Sequence, residues 1–256
     1  MDILFVQDSL LINHVYNLNS LHIIMKTKRT NKKCKNKTMK NKTMNYIFGY
    51  GSLISSESRR YTGKGYIGNA IPVILTKKAG FVRKWVCKKS KHGKRAFLGL
   101  EKSNNPTNIN GVLCPIFKCI KNFDKREKGY KRVKFRINSK ESRKLIKPFL
   151  KNKLPKNSFN IYIYTVKNSK PPNIKCPIAQ QYLDVVLSGC LEYSRKFAKH
   201  FLKNTKNWRD SNGDVHWINN RNKEHREKYN IKKINHKNID KILIETIPQY
   251  YKKTIN

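Results

Sequence analysis

Residues 46–53, with the sequence Tyr-Ile-Phe-Gly-Tyr-Gly-Ser-Leu, join a β-type apolar run to a turn that contains two glycines. Gly49 and Gly51, on either side of Tyr50, let the backbone turn sharply at a strand end and present consecutive N–H groups to an anion or a carbonyl oxygen. An ordinary strand end is the alternative interpretation of this segment taken alone. Ile54 stands where a dinucleotide-binding G-x-G-x-x-G segment needs its third glycine, so that class of site is excluded.

Five further runs of branched and aromatic residues follow this segment, each bounded by turn-forming residues. Such runs are typical of short β-strands. The six predicted strands are residues 46–50, 71–75, 96–100, 111–117, 130–137 and 159–166. Six short strands of this kind predict a barrel or a strongly curved sheet.

Helical periodicity is strongest over residues 178–202, where apolar residues recur at steps of three and four. This spacing predicts one long amphipathic helix, with Pro177 at its start, where a missing N–H costs nothing. Two shorter helices are predicted at residues 122–128 and 139–150. Residues 206–256 are largely polar, with scattered aromatic residues. They are predicted to form a loop-rich segment that packs over the core.

The chain divides into three predicted parts. Residues 1–44 are basic and of low complexity, and the pentapeptide Lys-Asn-Lys-Thr-Met occurs in tandem at 35–39 and 40–44. Such a repeat lacks the side chains that could form a packed core, so it predicts a disordered leader. An organelle-targeting peptide is the alternative. Residues 45–205 form the predicted main domain, and residues 206–256 belong to the same domain.

The charge balance is strongly basic, with 57 Lys and Arg against 15 Asp and Glu and a formal net charge of +42. A field of that size attracts polyanions at low salt. However, Lys outnumbers Arg 44 to 13, whereas bidentate recognition of phosphate and guanine favours Arg. Polyanion binding is therefore predicted as an incidental property. A basic nucleic-acid-binding protein on the same fold remains an alternative function.

The six cysteines form no C-x-x-C pair and have no zinc-type spacing to histidines. They are predicted to be buried reduced thiols, which indicates a reducing compartment. No apolar run is long enough to span a bilayer, and no secretory signal pattern is present. These features predict a cytoplasmic protein with no metal, no cofactor and no membrane partner.

Residues 123–130, Phe-Asp-Lys-Arg-Glu-Lys-Gly-Tyr, form the second candidate element of a site. Asp124 and Glu127 are three residues apart, the spacing of a helix N-cap and its reciprocal partner, so a capping box is one interpretation. The other is that the Glu127 carboxylate points inward as a base, because it lies two residues before a Gly-Tyr pair that leads into the next predicted strand.

The order and spacing of these two elements resemble the γ-glutamylcyclotransferase family over residues 46–137. The shared features are Tyr-Gly-Ser-Leu at the first strand, a later Gly-Val-Leu strand, and an Asp-x-x-Glu-x-Gly-Tyr turn. Residues 177–191, with Thr205, Trp208 and residues 217–221, are similar to the C-terminal part of one branch. The resemblance implies an α+β fold, with a small mixed β-barrel and flanking helices.

The resemblance also implies a reaction, in which a γ-glutamyl amide cyclises to 5-oxoproline and releases an amino acid or amine. The carboxylate of Glu127 is implied as the general acid/base, and no cofactor is needed. The candidate substrate-binding residues are Tyr50, Gly51, Ser52, Leu53, Arg59 and Tyr130.

Some of these residues have alternative interpretations from their chemistry alone. Tyr50 and Tyr130 are candidate pocket walls, but core aromatic residues are equally consistent with the sequence. Arg59 is a candidate partner of the substrate α-carboxylate, with a surface cation as the alternative. Ser55 stands where the glutathione-specific branch usually has Trp, so specificity for glutathione alone is not implied. A catalytically silent γ-glutamyl-binding protein is the further alternative.

Overall fold

The computed structural model describes residues 43–63, 69–90, 93–117, 120–222 and 234–253. The predicted leader therefore lies outside the described residues, apart from Thr43 and Met44. Met44 belongs to the fold, because it is the first residue of strand β1 and pairs with Phe159.

Eleven strands and seven helices are present in the described ranges. The strands are β1 (Met44–Gly49), β2 (Ile71–Leu75), β3 (Phe81–Ser90), β4 (Gly93–Lys102), β5 (Ile109–Pro115), β6 (Lys131–Ile137), β7 (Ile146–Pro148), β8 (Phe159–Thr165), β9 (Ile178–Ala179), β10 (Thr205–Lys206) and β11 (Trp217–Ile218). The helices are α1 (Ser56–Gly63), α2 (Lys121–Arg126), α3 (Lys140–Arg143), α4 (Gln180–Leu191), α5 (Arg195–Lys203), α6 (His236–Thr246) and α7 (Pro248–Tyr251). Short 3-10 turns span Ser52–Ile54 and Lys77–Ala79.

The strands form two mixed sheets. Six strands run in the order β6-β8-β1-β5-β2-β7, and five in the order β10-β3-β4-β9-β11. The two sheets meet where the Val166 N–H donates a hydrogen bond of 2.8 Å to the Leu100 carbonyl oxygen. The predicted α+β class is confirmed.

Strand β1 is central to the six-stranded sheet, antiparallel to β5 and parallel to β8. Its last four residues are buried, as its apolar sequence predicts. A close approach to β5 is possible because residue 111 is glycine: a Cβ there would lie 2.5 Å from the Gly49 carbonyl oxygen and 2.6 Å from the Phe48 ring. Any larger residue would push apart the strands that carry the turn at residues 49–53.

Strand β2 has the predicted bounds, but β3 was missed by the strand pattern. β3 pairs with β4 along its whole length, from Phe81 opposite Lys102 to Ser90 opposite Gly93. The predicted helix over residues 139–150 is wrong, because only α3 is helical and β7 follows it. Residues 146–148 pair instead with the edge of β2, which completes backbone hydrogen bonds that a helix would have left unmade.

The predicted single helix over residues 178–202 is also wrong. Residues 178 and 179 form β9, which pairs in parallel with β4 and β11. The helical part breaks between α4 and α5, where the Ser194 Oγ accepts a hydrogen bond of 3.0 Å from the Phe197 N–H. Ser194 is thus an N-cap, and this cap starts a new helix inside the periodic stretch.

The C-terminal part is less loop-rich than predicted, because it contains α6 and α7. The predicted boundary between residues 205 and 206 falls inside β10, which pairs with β3. Trp208 is buried and stacks on Trp217, with ring centroids 5.4 Å apart. This segment therefore contributes a strand and buried aromatic rings to the same core.

The cysteines differ from the prediction at one pair. Cys87 in β3 and Cys176, just before β9, form a disulfide, so they are not reduced thiols. Cys114 and Cys190 are buried and free, as predicted, while Cys34 and Cys119 lie outside the described residues. Disulfides are typical of oxidising compartments, so the cysteines do not support the predicted cytoplasmic location, which stays a prediction. Within the described ranges, no helix is long and apolar enough to cross a bilayer.

Candidate active site

The turn after β1 presents backbone N–H groups at the end of a buried strand. It begins at Gly51, whose carbonyl oxygen accepts a hydrogen bond of 2.8 Å from the Ile54 N–H. The Ser52 carbonyl oxygen accepts from the Ser55 N–H at 3.2 Å. The N–H groups of Ser52 and Leu53 come before the first donor of this 3-10 turn, the Ile54 N–H, so the turn itself provides them with no acceptor.

Packing fixes the position of this turn. Leu53 is buried and packs with Ile47, Phe123 and Tyr164. Gly49 makes the packing possible, because a Cβ at that position would lie 2.8 Å from the Leu53 Cβ. The sequence thus forms a rigid turn, a precondition for N–H groups that are to be aimed at a ligand.

Arg59 supports the turn from within the protein. Its Nη1 donates to the carbonyl oxygens of Leu53 at 2.9 Å and Ile54 at 2.5 Å, and the residue is 7% exposed. The alternative interpretation as a surface cation is therefore wrong. The predicted contact with a substrate carboxylate finds no support in this geometry, because the guanidinium is engaged with the backbone.

Helix α2 does not begin with the predicted capping box. Its N-cap is Ile120, and Asp124 lies inside the helix. The Asp124 carboxylate instead accepts hydrogen bonds from Arg132 at 2.6 and 2.7 Å and from the Tyr164 hydroxyl at 2.9 Å. The capping-box interpretation of Asp124 and Glu127 is wrong, and the two carboxylates have separate surroundings.

Glu127 lies in the turn that ends α2. Its N–H donates to the Phe123 carbonyl oxygen at 2.8 Å, and its own carbonyl oxygen accepts from the Tyr130 N–H at 3.0 Å. The side chain is 19% exposed. The Glu127 carboxylate is therefore largely shielded by the protein, unlike an ordinary surface glutamate.

Arg126 links Glu127 to the turn after β1. Its Nη2 donates to the Ser52 Oγ at 2.7 Å, and its Nε lies 3.2 Å from the Glu127 Oε1. One guanidinium thus joins the two elements that the sequence singled out separately. Arg126 is not among the site residues predicted from the sequence; its position directly before Glu127 was the available signal.

Tyr50, between the two glycines of the turn, is buried. Its hydroxyl donates to the Tyr164 carbonyl oxygen at 2.7 Å. The pKa of Tyr50 lies well above its ordinary value, chiefly because of burial, and also because of repulsion from Tyr130, Glu127 and Tyr182. Tyr50 therefore remains a neutral hydroxyl.

Tyr130 and Lys88 border the same region. The Tyr130 hydroxyl donates to the Leu98 carbonyl oxygen at 3.1 Å, and the Lys88 Nζ lies 3.3 Å from the centroid of the Tyr130 ring. Burial lowers the pKa of Lys88, while the Glu127 carboxylate acts in the opposite direction. A cation on the Tyr130 ring face is a favourable arrangement, and it adds positive charge to the side of the site formed by β3.

Tyr182 of α4 is a second residue at the site that is not among those predicted from the sequence. A Cβ at position 51 would lie 3.0 Å from the Tyr182 Oη, so Gly51 leaves space for that hydroxyl. The ring makes edge contacts with Phe97 and Trp85, at centroid distances of 5.2 and 5.9 Å. Its signal was its place in residues 177–191, which carried part of the family resemblance.

A group of three potential metal ligands lies elsewhere, between β10 and β11. The ligand atoms of Asp210, Asp214 and His216 lie within 4.8 Å of one another. The Asp210 carboxylate already bonds the His216 Nε2 at 2.7 Å and the N–H groups of Asn212 and Asp214. These bonds account for the cluster as the closure of a loop.

Comparison with known proteins gives structural neighbours only. No protein-family model matches the chain, and no curated protein matches it. The chain is similar to the structure of a γ-glutamyl cyclotransferase, with 15% identity and a TM-score of 0.44, covering 66% of this chain and 92% of that one.

Two further neighbours have comparable coverage. An uncharacterized protein from Homo sapiens has 17% identity and a TM-score of 0.42, covering 61% of this chain and 87% of that chain. A γ-glutamyl cyclotransferase from yeast, specific to glutathione, has 13% identity and a TM-score of 0.32, with coverages of 63% and 86%. The structural neighbours of this chain thus include γ-glutamyl cyclotransferases, at low sequence identity.

Proposed function

We propose that this protein is an enzyme that converts a γ-glutamyl amide to 5-oxoproline. The α-amine of the substrate attacks its own γ-carbonyl carbon, so that a ring C–N bond forms and the original amide C–N bond breaks. The proton lost by the attacking amine finishes on the departing amine. The reaction is an intramolecular acyl transfer. It requires no water, no oxidant and no covalent enzyme intermediate.

The observation that carries the proposal is the arrangement of Ser52, Arg126 and Glu127. The glycine turn and the half-buried carboxylate come from segments far apart in the sequence, and the Arg126 guanidinium contacts both. A carboxylate fixed beside backbone N–H groups is what an internal aminolysis needs, because one group moves the proton while the others stabilise the oxyanion.

Each group has a distinct task in this proposal. The α-amine of a substrate is largely protonated at neutral pH, so Glu127 takes its proton and later returns it to the leaving amine. The N–H groups of Gly51, Ser52 and Leu53 hold the γ-carbonyl oxygen. Tyr50 and Tyr130 form neutral walls, and Ser52 is a hydrogen-bond acceptor of Arg126 and not a nucleophile.

Arg126 replaces Arg59 as the proposed partner of the substrate α-carboxylate. It lies at the site with its side chain 23% exposed, whereas Arg59 is buried on backbone carbonyl oxygens. A guanidinium suits a carboxylate because its parallel N–H groups match the two oxygens. Binding the α-carboxylate beside Glu127 places the neighbouring α-amine within reach of the base.

A substrate panel tests the reaction class. Glutathione, γ-glutamyl dipeptides and γ-glutamyl amines are incubated with the purified chain, and 5-oxoproline and free amine are both quantified. We expect equal amounts of the two products from at least one compound. The matched control is the same compound with its α-amine acetylated, which has no nucleophile and should release nothing.

The outcomes separate this mechanism from its rivals. Release of amine from the acetylated compound would mean hydrolysis by an external nucleophile and would contradict internal cyclisation. Binding of γ-glutamyl compounds without turnover of any of them would establish the catalytically silent alternative. Either result would contradict the internal cyclisation for which Glu127 is proposed as the acid/base.

A further inference from the structure

A cavity of about 390 Å³ lies away from the candidate active site, between the segment after α5 and the junction of α6 with α7. None of the residues described above as forming that site lines it. The lining residues are Leu202, Lys203, Thr205, Lys206, Asn207, Trp208, Arg209, Thr246, Ile247, Gln249 and Tyr250.

The charged groups of this cavity are all positive. Lys203, Lys206 and Arg209 line it, and no acidic residue does. In the described part of the chain, none of these three has a carboxylate oxygen within salt-bridge distance. Three cations around one concave space repel one another, and an anion there would relieve that repulsion.

The nearest acidic residues along the chain already have partners. Glu245 precedes the lining residue Thr246 and forms ion pairs with Arg195 at 2.6 Å and Lys199 at 3.1 Å. Asp210 follows the lining residue Arg209 and is paired with His216. The positive charge of the cavity is therefore not neutralised by its neighbours.

Uncharged hydrogen-bonding groups complete the lining. Asn207, Thr246 and Gln249, whose side chains end in two amides and a hydroxyl, are among the lining residues. The Thr246 Oγ1 is buried and has no hydrogen-bond partner among the described residues. A buried hydroxyl without a partner is costly, so a ligand that bonds Thr246 would recover that cost.

The wall of the cavity is rigid. Trp208 is 4% exposed, its Nε1 donates to the Thr205 carbonyl oxygen at 2.8 Å, and its ring stacks on Tyr250 with centroids 5.9 Å apart. The Arg209 guanidinium lies 5.4 Å from the centroid of the Tyr250 ring. The aromatic wall is therefore formed before any ligand binds, which reduces the entropic cost of binding.

We propose that this cavity binds an organic phosphate. A phosphate monoester carries a charge of about −1.5 to −2 at neutral pH and three strong acceptor oxygens, which matches several cations and a hydroxyl better than a single carboxylate does. The volume lies in the range of small-molecule sites, about 300 to 1,000 Å³.

Calorimetric titration with ribose 5-phosphate and adenosine 5′-monophosphate tests the proposal, with ribose and adenosine as phosphate-free controls. The titrations use about 150 mM salt, where charges more than about 8 Å apart are largely screened. We expect both phosphates to bind and both controls to fail. Absence of binding by the two phosphates would overturn the proposal.

Two triple variants separate a built site from the general basic field. The first variant combines the substitutions Lys203→Gln, Lys206→Gln and Arg209→Gln. It should weaken phosphate binding at least about tenfold, because charge-assisted hydrogen bonds are lost. The matched control changes Lys131, Lys134 and Arg136, three exposed cations of β6, to Gln. The control removes the same charge and should change binding less than about twofold, since its charges lie outside the cavity. Equal weakening in both variants would overturn the proposal.

Thr246→Val supplies a test that does not depend on charge. The substitution removes only the unpartnered hydroxyl, so the free energy of unfolding should not fall, while phosphate binding should weaken about three- to tenfold. Unchanged binding would contradict the inference.

A single-stranded oligonucleotide with a 5′-phosphate, compared with the same oligonucleotide without it, identifies the source of the phosphate. Tighter binding of the phosphorylated oligonucleotide, lost in the triple variant of the cavity, would assign the phosphate to a strand terminus. Tighter binding of the free mononucleotide would assign it to a small metabolite.

Discussion

Two arginines of this protein each connect elements that are distant in the sequence, but their surroundings differ. Arg221 donates to both Asp184 oxygens at 2.8 Å and to both Asp240 oxygens at 2.7 and 2.9 Å. Arg126 contacts one carboxylate, that of Glu127, and the Ser52 hydroxyl. The first guanidinium is surrounded by two carboxylates, while the second shares its site with a neutral group and with backbone N–H groups.

The difference separates a structural bridge from a proposed functional one. Asp184 is 1% exposed and also accepts a hydrogen bond of 2.7 Å from the Gln180 Nε2, so Arg221 neutralises a charge that water does not reach. Its contacts hold residue 221 between α4 and α6. Arg126 and Glu127 lie at a turn that presents N–H groups, where an incoming carboxylate and amine would find complementary partners.

Breaking the Arg221 bridge should have the largest effect on stability. Arg221→Ala removes the guanidinium that bonds both oxygens of the buried Asp184, and leaves it with the Gln180 amide and the His236 Nδ1 at 3.3 Å. The free energy of unfolding should therefore fall by about 3 to 5 kcal/mol. Urea unfolding followed by tryptophan fluorescence measures this change, since the Trp217 Nε1 bonds to the Gln180 Oε1 next to the network.

Arg195→Ala is the control for that experiment. Arg195 pairs with Glu245 at 2.6 Å, but both side chains are more than a third exposed. Such a pair contributes less than about 1 kcal/mol. If the two variants were equally stable, the structural role of Arg221 would be refuted.

Removal of the Cys87–Cys176 disulfide should have the next largest effect. The bridge joins residues 89 positions apart, so replacing both cysteines by serine should lower the free energy of unfolding by about 2 to 4 kcal/mol, mainly because the unfolded chain gains freedom. A dithiol reductant should destabilise the wild type similarly and leave the double variant unaffected. Identical unfolding curves for oxidised and reduced wild type would exclude a stabilising bridge.

Replacing Arg126 should change catalysis more than stability. Arg126→Gln removes the proposed contact with the substrate α-carboxylate, so kcat/KM should fall about 10- to 100-fold, the effect of losing one or two charge-assisted hydrogen bonds. Arg136→Gln, at an exposed position of β6, should leave kcat/KM unchanged. A large loss of stability in Arg126→Gln with normal turnover would place Arg126 with Arg221 as a structural bridge.

Alkylation of thiols should have the smallest effect. Burial raises the pKa of Cys114 to about 11 and that of Cys190 further still, so neither forms much of the reactive thiolate near neutral pH. Treatment with iodoacetamide should lower activity less than about twofold. Rapid inactivation that a bound γ-glutamyl compound prevents would instead indicate a thiol at the site.

The sequence predicted strands that consist of apolar, branched and aromatic residues between turn-forming residues, and it missed β3, whose buried residues are interrupted by cations. β2 is a continuous apolar run and has the predicted bounds. β3 contains Arg83, a cation that looks solvated in the sequence but is fully buried. Its guanidinium donates to the carbonyl oxygens of Asn110 and Phe201 at 2.7 and 2.9 Å, and nothing local in the sequence indicates these partners.

The candidate site shows the same division between local and distant information. The glycine turn and the position of Glu127 at the end of a short helix follow from neighbouring residues. The bond between Arg126 and Ser52 joins residues 74 positions apart, and the disulfide joins positions further apart still. Contacts of this kind depend on how the sheets pack, so no local pattern predicts them.

The rate of 5-oxoproline release by Glu127→Gln tests the central claim most directly. This variant keeps the shape of the side chain and removes the base, so kcat should fall about 10²- to 10⁴-fold, while the free energy of unfolding changes by less than about 1 kcal/mol. Glu141→Gln, which alters a side chain that is 76% exposed, should keep the wild-type rate. A Glu127→Gln protein that releases 5-oxoproline at the wild-type rate would contradict the account.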